Sequence, residues 1–277
     1  MDDETRWLRL DGAANVRDLG GLPTDGGGQT ARGRVLRSDN LQGLTPEDVR
    51  RLVGDYGLRT VVDLRTVVEV DKEGPGPLTR EPTVTHLHCS LFPEGGRMTD
   101  VEADALLPWQ TDDVRAADVA ENRAVSGGSP DADDPSIGYY LGYLRDRPDS
   151  VVAALRAIAA PGGAAIVHCA AGKDRTGVVV ALALSVAGVR RDAIVADYVA
   201  TGDALGEILD RLRATETYRE DLDERSPDSH RPRARTMERF LEVLDERYGG
   251  PAGWLTGAGF GPDDQAALRA RLLDPAG

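Results

Sequence analysis

The sequence predicts an α/β protein in which a central, mostly parallel sheet is flanked by helices. Residues 164–167 form a short apolar run after the Pro-Gly-Gly of residues 161–163, which is typical of a buried strand. Residues 178–184 are apolar on every side and stop at Gly188, which predicts a helix that is buried all round. Residues 59–65 form another apolar strand between helical patterns. Apolar strands that alternate with helices indicate a parallel sheet covered on both faces.

The first half of the chain contains clear strand and helix boundaries. Residues 34–38 predict a strand. Thr45 is a favourable N-cap and Pro46 a favourable first residue, so a helix is predicted from there to about residue 53. The helix is followed by the strand at residues 59–65, as expected for a repeating strand–helix order.

Asp63 and Arg65 lie at the carboxyl end of the predicted strand 59–65. Open α/β sheets bind ligands at this edge, so the two side chains are candidates for a site. The alternative is an ion pair that stiffens the end of the strand. The residues themselves do not decide between these two interpretations.

The composition changes between residues 93 and 135, where acidic residues and glycine become frequent. We expect a flexible acidic insertion there, with weak helical patterns near residues 100–107 and 112–125. It either covers the site or forms a mobile arm on the surface. Some of its acids are rival candidates for a general acid: Asp100, Asp104, Asp112 and Asp113.

The second half of the chain is predicted to be mainly helical. Besides the buried helix, amphipathic patterns predict helices at residues 137–144, 150–160, 193–200, 203–226, 236–248 and 262–273. A small basic run lies at residues 231–235.

The buried strand and the buried helix are joined by the stretch His168-Cys169-Ala170-Ala171-Gly172-Lys173-Asp174-Arg175-Thr176-Gly177. The order strand, tight loop, helix places backbone N–H groups at a helix N-terminus, where anions bind. These groups and the nearby cations favour the thiolate of Cys169. Arg175 can present its planar guanidinium to two oxygens of one phosphoryl group.

A cysteine nucleophile beside an anion site predicts phosphoryl transfer through a phosphocysteine intermediate. The predicted roles are attack by Cys169, phosphate binding by Ala170, Ala171, Gly172, Lys173 and Arg175, and hydroxyl donation by Thr176 to the departing sulfur. Asp174 is the candidate general acid; a bound phosphate raises its pKa, whereas Lys173 and Arg175 lower it, and the balance stays open. This chemistry requires a sulfur that solvent can reach and that faces Arg175.

The loop resembles the Cys-x5-Arg-Thr signature of cysteine-dependent protein tyrosine phosphatases. Its Gly-Lys-Asp-Arg-Thr-Gly portion is similar to that of bacterial tyrosine phosphatases of the mycobacterial PtpB and Listeria LipA type. Residues 15–21, residues 61–66 with Glu69, and residues 248–259 share this resemblance. It spans nearly the whole chain and is thin between about residues 93 and 135.

The resemblance implies one dual-specificity or tyrosine-phosphatase-like domain over residues 1–277, with a helical lid from residues 203–235 whose basic run is a candidate contact for an acidic substrate. The alternative for residues 203–235 is a pair of surface helices with an exposed loop. It implies that Asp63 and Arg65 line the site, with His168 in a supporting position. The implied activity is that of a protein-tyrosine phosphatase on phosphotyrosyl proteins, extending to phosphoserine and phosphothreonine. A phosphoinositide phosphatase is the alternative, because several members of this type act on phosphoinositides. A non-catalytic phosphate-binding module is less favoured, because the cysteine, the arginine and the acid are all present.

The net charge of −14 disfavours nucleic acid as a partner. Phosphocysteine chemistry needs no metal and no cofactor, and His86 and His88 have no third ligand at a suitable spacing. Cys89 and Cys169 form no disulfide framework and fit a reducing compartment; we expect Cys89 to be a buried structural thiol.

No apolar stretch of about 18 residues predicts a membrane span, and the first residues do not have the pattern of a signal peptide. We therefore expect a cytoplasmic protein, or one that is secreted without a recognisable signal peptide. The sequence carries no signal for the oligomeric state.

Overall fold

The computed structural model describes residues 6–93, 120–121, 136–223 and 226–274 of the chain. Its strands form one sheet in the order β1-β2-β5-β3-β4. The strands are β1 (Arg17–Asp18), β2 (Val35–Ser38), β3 (Leu58–Asp63), β4 (Thr85–His88) and β5 (Ala164–His168). The short β1 is antiparallel to β2, and the other neighbours are parallel. The predicted mostly parallel sheet is confirmed.

Helices surround this sheet. They are α1 (Pro46–Arg50), α2 (Val67–Glu73), α3 (Ser136–Asp146), α4 (Pro148–Ala159), α5 (Asp174–Val186), α6 (Arg191–Ala200), α7 (Leu205–Arg213), α8 (Glu216–Asp223), α9 (Ala234–Tyr248), α10 (Pro251–Gly257) and α11 (Pro262–Leu272). A wide helical turn at Arg51–Asp55 extends α1, and short 3₁₀ turns lie at Pro77–Arg80, Thr201–Ala204 and Pro227–His230.

The sheet is buried on both faces. Val167 and Ile166 are neighbours on β5 and point to opposite sides, since successive strand residues alternate. Val167 belongs to the larger apolar core with α3, α4, α5 and α9, whereas Ile166 belongs to a second core with α1 and the N-terminal segment. This arrangement explains why the central strand β5 is apolar up to His168 and buried along its whole length.

Helix α5 passes through the larger core, and its side chains from Val178 to Leu184 are buried. The chain leaves the helix at Gly188, whose φ of +74° is left-handed and suits glycine. The predicted helix and its stop are therefore confirmed. Among the described residues, no helix is both long and apolar enough to cross a membrane.

Two helix starts in the first half are fixed by reciprocal caps. The Thr45 hydroxyl accepts from the Asp48 N–H while the Asp48 carboxylate accepts from the Thr45 N–H, as predicted for the start of α1. Thr66 and Glu69 form the same arrangement at the start of α2. The second cap also places the Glu69 carboxylate at the carboxyl edge of the sheet.

Two helix predictions for the second half need correction. The single helix predicted over residues 203–226 is wrong, because the chain turns at Ala214 and Thr215 and forms α7 and α8 instead. The short α10 was not predicted, since its seven residues show too little periodicity. The acidic insertion predicted at residues 93–135 and its helical patterns lie almost entirely outside the described residues.

Candidate active site

The loop of residues 169–173 lies at the carboxyl edge of the sheet. It connects β5, the central strand, to the N-terminus of α5. The helix dipole and the free N–H groups of the first helical turn therefore point at the loop and favour an anion there.

The path of the loop depends on Gly172. Its φ of +66° is left-handed, which side-chain-bearing residues rarely adopt. A Cβ atom at this position would lie 2.4 Å from the carbonyl oxygen of Ser38 on the adjacent strand β2. Glycine is therefore required both by the backbone conformation and by the close approach of β2.

The loop carbonyls are held away from the centre of the loop by two buried side chains. The Asn15 amide donates to the carbonyls of Ala171 at 3.0 Å and Gly172 at 3.2 Å, and Arg37 Nη2 donates to the Gly172 carbonyl at 2.6 Å. The backbone N–H of Asn40 donates to the carbonyl of Ala170 at 2.8 Å.

The N–H groups on the other side of these peptide units are available. Within the described parts of the chain, the N–H groups of Ala170, Ala171, Gly172 and Asp174 donate no hydrogen bond. Buried N–H groups without an acceptor are rare in folded proteins. Several such N–H groups in one loop at a helix N-terminus can bind an anion.

Arg175 is oriented towards the loop by Glu69. Its Nη1 and Nη2 donate to the two carboxylate oxygens of Glu69 at 2.5 and 2.9 Å, and both side chains are buried. Burial raises the pKa of Glu69, but Arg175 outweighs burial and lowers it, so the carboxylate is ionised. Burial lowers the pKa of Arg175, but Glu69 and the Cys169 thiolate raise it well above its ordinary value. The guanidinium is thus a fixed cation beside the sulfur.

Cys169 is a free thiol whose residue is only 2 % exposed. Cys89 is also free and buried, and burial raises its pKa to about 11, which agrees with a structural thiol. The hydroxyl of Thr176 is buried and has no hydrogen-bond partner in the described part of the chain. The predicted bond from Thr176 to the sulfur is therefore absent from this arrangement.

Asp174 accepts hydrogen bonds from the Tyr140 hydroxyl at 2.6 Å and pairs with Lys173 Nζ at 2.9 Å. Burial raises the pKa of Asp174, but Lys173 and Tyr140 together lower it below its ordinary value. The sequence left open whether Asp174 is protonated, and these contacts favour its ionised form. The Tyr140 hydroxyl also shares a hydrogen bond of 2.7 Å with Tyr198.

Asp63 and Arg65 form a close ion pair. Arg65 Nη2 lies 2.6 Å from Asp63 Oδ2, and its Nε and backbone N–H also donate to the same carboxylate. His168 lies 3.7 Å from Asp63, and burial lowers the pKa of His168 to about 4, so the imidazole is neutral. These contacts match the ion-pair interpretation of the strand end. Arg65 Nη1 is buried without a partner in the described residues.

The histidines of β4 lie on the other side of this ion pair. His86 and His88 line a cavity of about 180 Å³ together with Asp63, Arg65 and His168. Among the described residues, no group of three or more potential ligands is arranged to hold a metal ion.

Helices α7 and α8 cover the loop. Ala170 packs in one apolar cluster with their inner faces, namely Leu205, Ile208, Leu209, Leu212, Tyr218 and Leu222. The Tyr218 hydroxyl also donates to Glu69 Oε1 at 2.9 Å. The expectation of a sulfur that solvent can reach is not met, since Cys169 is only 2 % exposed.

The basic run at residues 231–235 does not reach the loop through any contact of the described residues. Arg231 and Arg233 pair with Asp228, and Arg235 pairs with Glu242 on α9. These pairs are largely exposed, so the run forms a balanced surface rather than an uncompensated cationic patch.

A cysteine and an arginine joined by an anion-binding loop, at the carboxyl edge of a parallel sheet, define the class of cysteine-dependent phosphatases. The chain belongs to the tyrosine phosphatase family, whose sequence pattern it matches over residues 8–274. The predicted membership and the predicted protein-tyrosine phosphatase activity are confirmed.

Two relatives are similar to most of the chain. The triple specificity protein phosphatase PtpB of Mycobacterium tuberculosis is 31 % identical, over 95 % of this chain and 98 % of its own length. A tyrosine-protein phosphatase of Nostoc commune is 27 % identical, over 86 % of this chain and 73 % of its own length. Neither name refers to phosphoinositides, so the comparisons do not favour the phosphoinositide alternative. Both names describe phosphatases, so the comparisons do not favour a non-catalytic phosphate-binding module either.

Sequence reasoning missed several side chains that hold the loop. Four side chains from other elements contact the loop or the residues that hydrogen-bond to it: Glu69, Tyr140, Asp197 and Tyr218. Glu69 carried one signal, since Thr66 followed three residues later by glutamate predicts a capping box. Its second role as the partner of Arg175 had no local signal.

Proposed function

We propose that Cys169 is the nucleophile of a protein-tyrosine phosphatase that works through a phosphocysteine intermediate. The observation that carries this proposal is the set of unpartnered loop N–H groups between a buried thiol and a guanidinium pre-oriented by Glu69. Three equatorial phosphoryl oxygens require several donors in one concave site, and these groups supply them. Ala170, Ala171, Gly172 and Lys173 bind through the loop, and Arg175 binds through its side chain.

In the first step the thiolate of Cys169 attacks phosphorus, and the bond between phosphorus and the tyrosine oxygen breaks. The departing oxygen takes a proton from Asp174. In the second step water attacks phosphorus, the sulfur–phosphorus bond breaks and Asp174 recovers the proton. The hydroxyl of Thr176 turns to the sulfur as negative charge returns to it, which gives this buried hydroxyl its missing acceptor.

Asp174 has to be protonated when the first step begins, although it is ionised in the empty site. A dianionic phosphate in the loop raises the pKa of a neighbouring carboxyl. We infer that Lys173 also turns from Asp174 towards the phosphate, which removes the largest influence that holds that pKa down. Substrate binding thereby raises the pKa of Asp174 and favours its protonated form.

The segment of residues 203–235 acts as a lid in this proposal. Its helices α7 and α8 bury the loop and hydrogen-bond to Glu69 through Tyr218. Asp63, Arg65 and His168 support the loop in this proposal from the ends of β3 and β5, where Asp63 is paired with Arg65 and His168 is buried beside it.

The proposed substrate is a phosphotyrosyl protein, with phosphoserine and phosphothreonine as further substrates, which the family membership supports. Rates on matched phosphotyrosyl and phosphoseryl peptides and on a phosphoinositide separate the cases. Activity on the phosphoinositide alone would overturn this substrate. Free thiols suit a reducing compartment such as the cytoplasm, and secretion without a recognisable signal peptide is the alternative.

Turnover of an aryl phosphate by matched serine variants of the two cysteines tests the proposal. Cys169→Ser should lose at least roughly 10⁴-fold in kcat while retaining affinity for inorganic phosphate. Cys89→Ser should turn over at the wild-type rate, since this thiol is buried away from the loop. Wild-type turnover in Cys169→Ser would end the proposal.

A further inference from the structure

Asp197 on α6 lies at the centre of a buried cluster of charges behind the phosphate loop. It is 1 % exposed and accepts from three guanidinium groups: from Arg6, from Arg17 Nε at 3.1 Å and from Arg37 Nη1 at 2.5 Å. Burial, with Arg37 close by, lowers the pKa of Arg17 to about 9, which reflects this crowding of cations.

Two chains of hydrogen bonds lead from Asp197 to the same carbonyl of the loop. Arg37 bridges them directly, because its Nη1 binds Asp197 while its Nη2 donates to the Gly172 carbonyl. Arg17 provides the second route: it binds Asp197 through Nε and Asn15 Oδ1 through Nη1, and the Asn15 amide donates to Gly172.

The bridging geometry fixes which way the loop peptides face. A peptide unit points its C=O and its N–H in opposite directions. Because Arg37 and Asn15 hold the carbonyls of Ala171 and Gly172 outside the loop, the N–H groups of Gly172 and Lys173 are turned inwards. An arginine without Asp197 would be a buried, uncompensated charge free to change its orientation.

We propose that Asp197 is a positioning residue for phosphate binding and transfer: it fixes the guanidinium groups of Arg37 and Arg17, which turn the loop peptides towards the phosphate. This rests on the phosphocysteine mechanism proposed above. Asp197 touches neither the sulfur nor the substrate, and acts through the loop alone.

The test compares Asp197→Asn with Asp18→Asn. Asp18 is also a buried carboxylate, and it accepts from the N–H groups of Gly20 and Gly33. No hydrogen bond described for its side chain reaches the loop. Asp197→Asn should lower kcat/KM on an aryl phosphate roughly 10- to 100-fold, because misplaced catalytic groups lose this much. It should also weaken the binding of inorganic phosphate. Asp18→Asn should lower the melting temperature without either effect.

Arg37→Lys is a second variant that tests the proposal if Asp197→Asn does not fold. Lysine keeps the charge but cannot bind Asp197 and the Gly172 carbonyl together with a planar fork. The same loss of kcat/KM and of phosphate affinity is expected. In the double variant Asp197→Asn/Arg37→Lys the losses should be much less than additive, since both act on one network.

Wild-type kcat/KM and phosphate affinity in folded Asp197→Asn, or in Arg37→Lys, would overturn the proposal. Equal losses in Asp18→Asn would also overturn it, because the effect would then be one of general stability. These outcomes are separate from a failure of the mechanism, which the turnover of Cys169→Ser reports.

Discussion

The guanidinium of Arg175 and the carboxylate of Glu69 form two parallel hydrogen bonds of 2.5 and 2.9 Å in the interior of the protein. The two residues are 106 positions apart in sequence, and the Glu69 side chain is fully buried. Such a pair fixes the plane of the guanidinium. The orientation of the cation that faces the sulfur is therefore determined by the start of α2.

Glu69→Gln should reduce both activity and stability, because Arg175 becomes a buried cation without its counter-ion. We expect a loss of about 3 kcal/mol in the free energy of unfolding. We also expect a roughly 10- to 100-fold lower kcat/KM as the guanidinium loses its fixed plane. Denaturant unfolding and steady-state kinetics measure the two effects. Glu47→Gln is the matched control, since its ion pair with Arg50 is exposed and should matter little. Unchanged kcat/KM in Glu69→Gln would remove Glu69 from the account of the site.

Tyr218→Phe should make the site more accessible. The hydroxyl of Tyr218 ties the covering helix α8 to Glu69 at 2.9 Å, whereas the ring remains packed without it. A lost hydrogen bond of about 1 kcal/mol should raise kcat/KM about five-fold if opening limits substrate entry. Stopped-flow binding of a phosphate analogue should show a faster association. Tyr248→Phe, at an exposed position, is the control. A ten-fold fall in kcat/KM would instead assign the hydroxyl a direct role in binding.

Tyr140→Phe should change the pH dependence of kcat. The Tyr140 hydroxyl donates to Asp174 and helps to lower the pKa of that carboxyl. Its removal raises the pKa, so the acid stays protonated to higher pH and the basic limb of the profile should move to higher pH. Asp174→Asn should remove this limb. Tyr198→Phe should have a smaller effect, because Tyr198 contacts Tyr140 rather than Asp174 in the hydrogen bonds described. An unmoved limb in both Tyr140→Phe and Asp174→Asn would mean that another group is the acid.

His168 should make the stability of the protein depend on pH. Burial lowers its pKa from 6.5 to about 4 in the folded state. Below pH 6.5 the unfolded chain therefore binds a proton that the folded chain does not, and stability falls until the pH reaches about 4. The difference corresponds to about 3 kcal/mol. Chemical unfolding at a series of pH values should show this loss in the wild type and in His86→Gln, but not in His168→Gln. The same slope in His168→Gln would assign the loss to other groups.

Local patterns predicted the parts of the site that are continuous in sequence. The apolar strand β5, the loop and the start of α5 follow one another, so their order and the positions of Cys169 and Arg175 could be derived from residue type and spacing. The cap at Thr45 and the stop at Gly188 have equally local causes. The order of these elements, the cap and the stop are confirmed because neighbouring residues determine them.

The partners of the loop could not be predicted because they come from distant elements. Asp197 belongs to α6, Glu69 to α2 and Tyr218 to α8, and only the fold brings them to one edge of the sheet. The break between α7 and α8 is also tertiary in origin, since residues 203–226 carry a continuous helical pattern. The packing of Ala170 against these two helices is likewise a contact between distant parts of the chain, which local patterns do not show.

The measurement that tests the central claim most directly is the detection of a phosphoryl group on Cys169. Wild-type enzyme mixed with an aryl phosphate should be quenched in acid within the first turnovers, digested and examined by mass spectrometry. The account predicts a phosphorylated peptide containing Cys169, and none in the peptide containing Cys89. Turnover at the wild-type rate without any phosphoryl adduct on Cys169, or with the adduct on another residue, would contradict it.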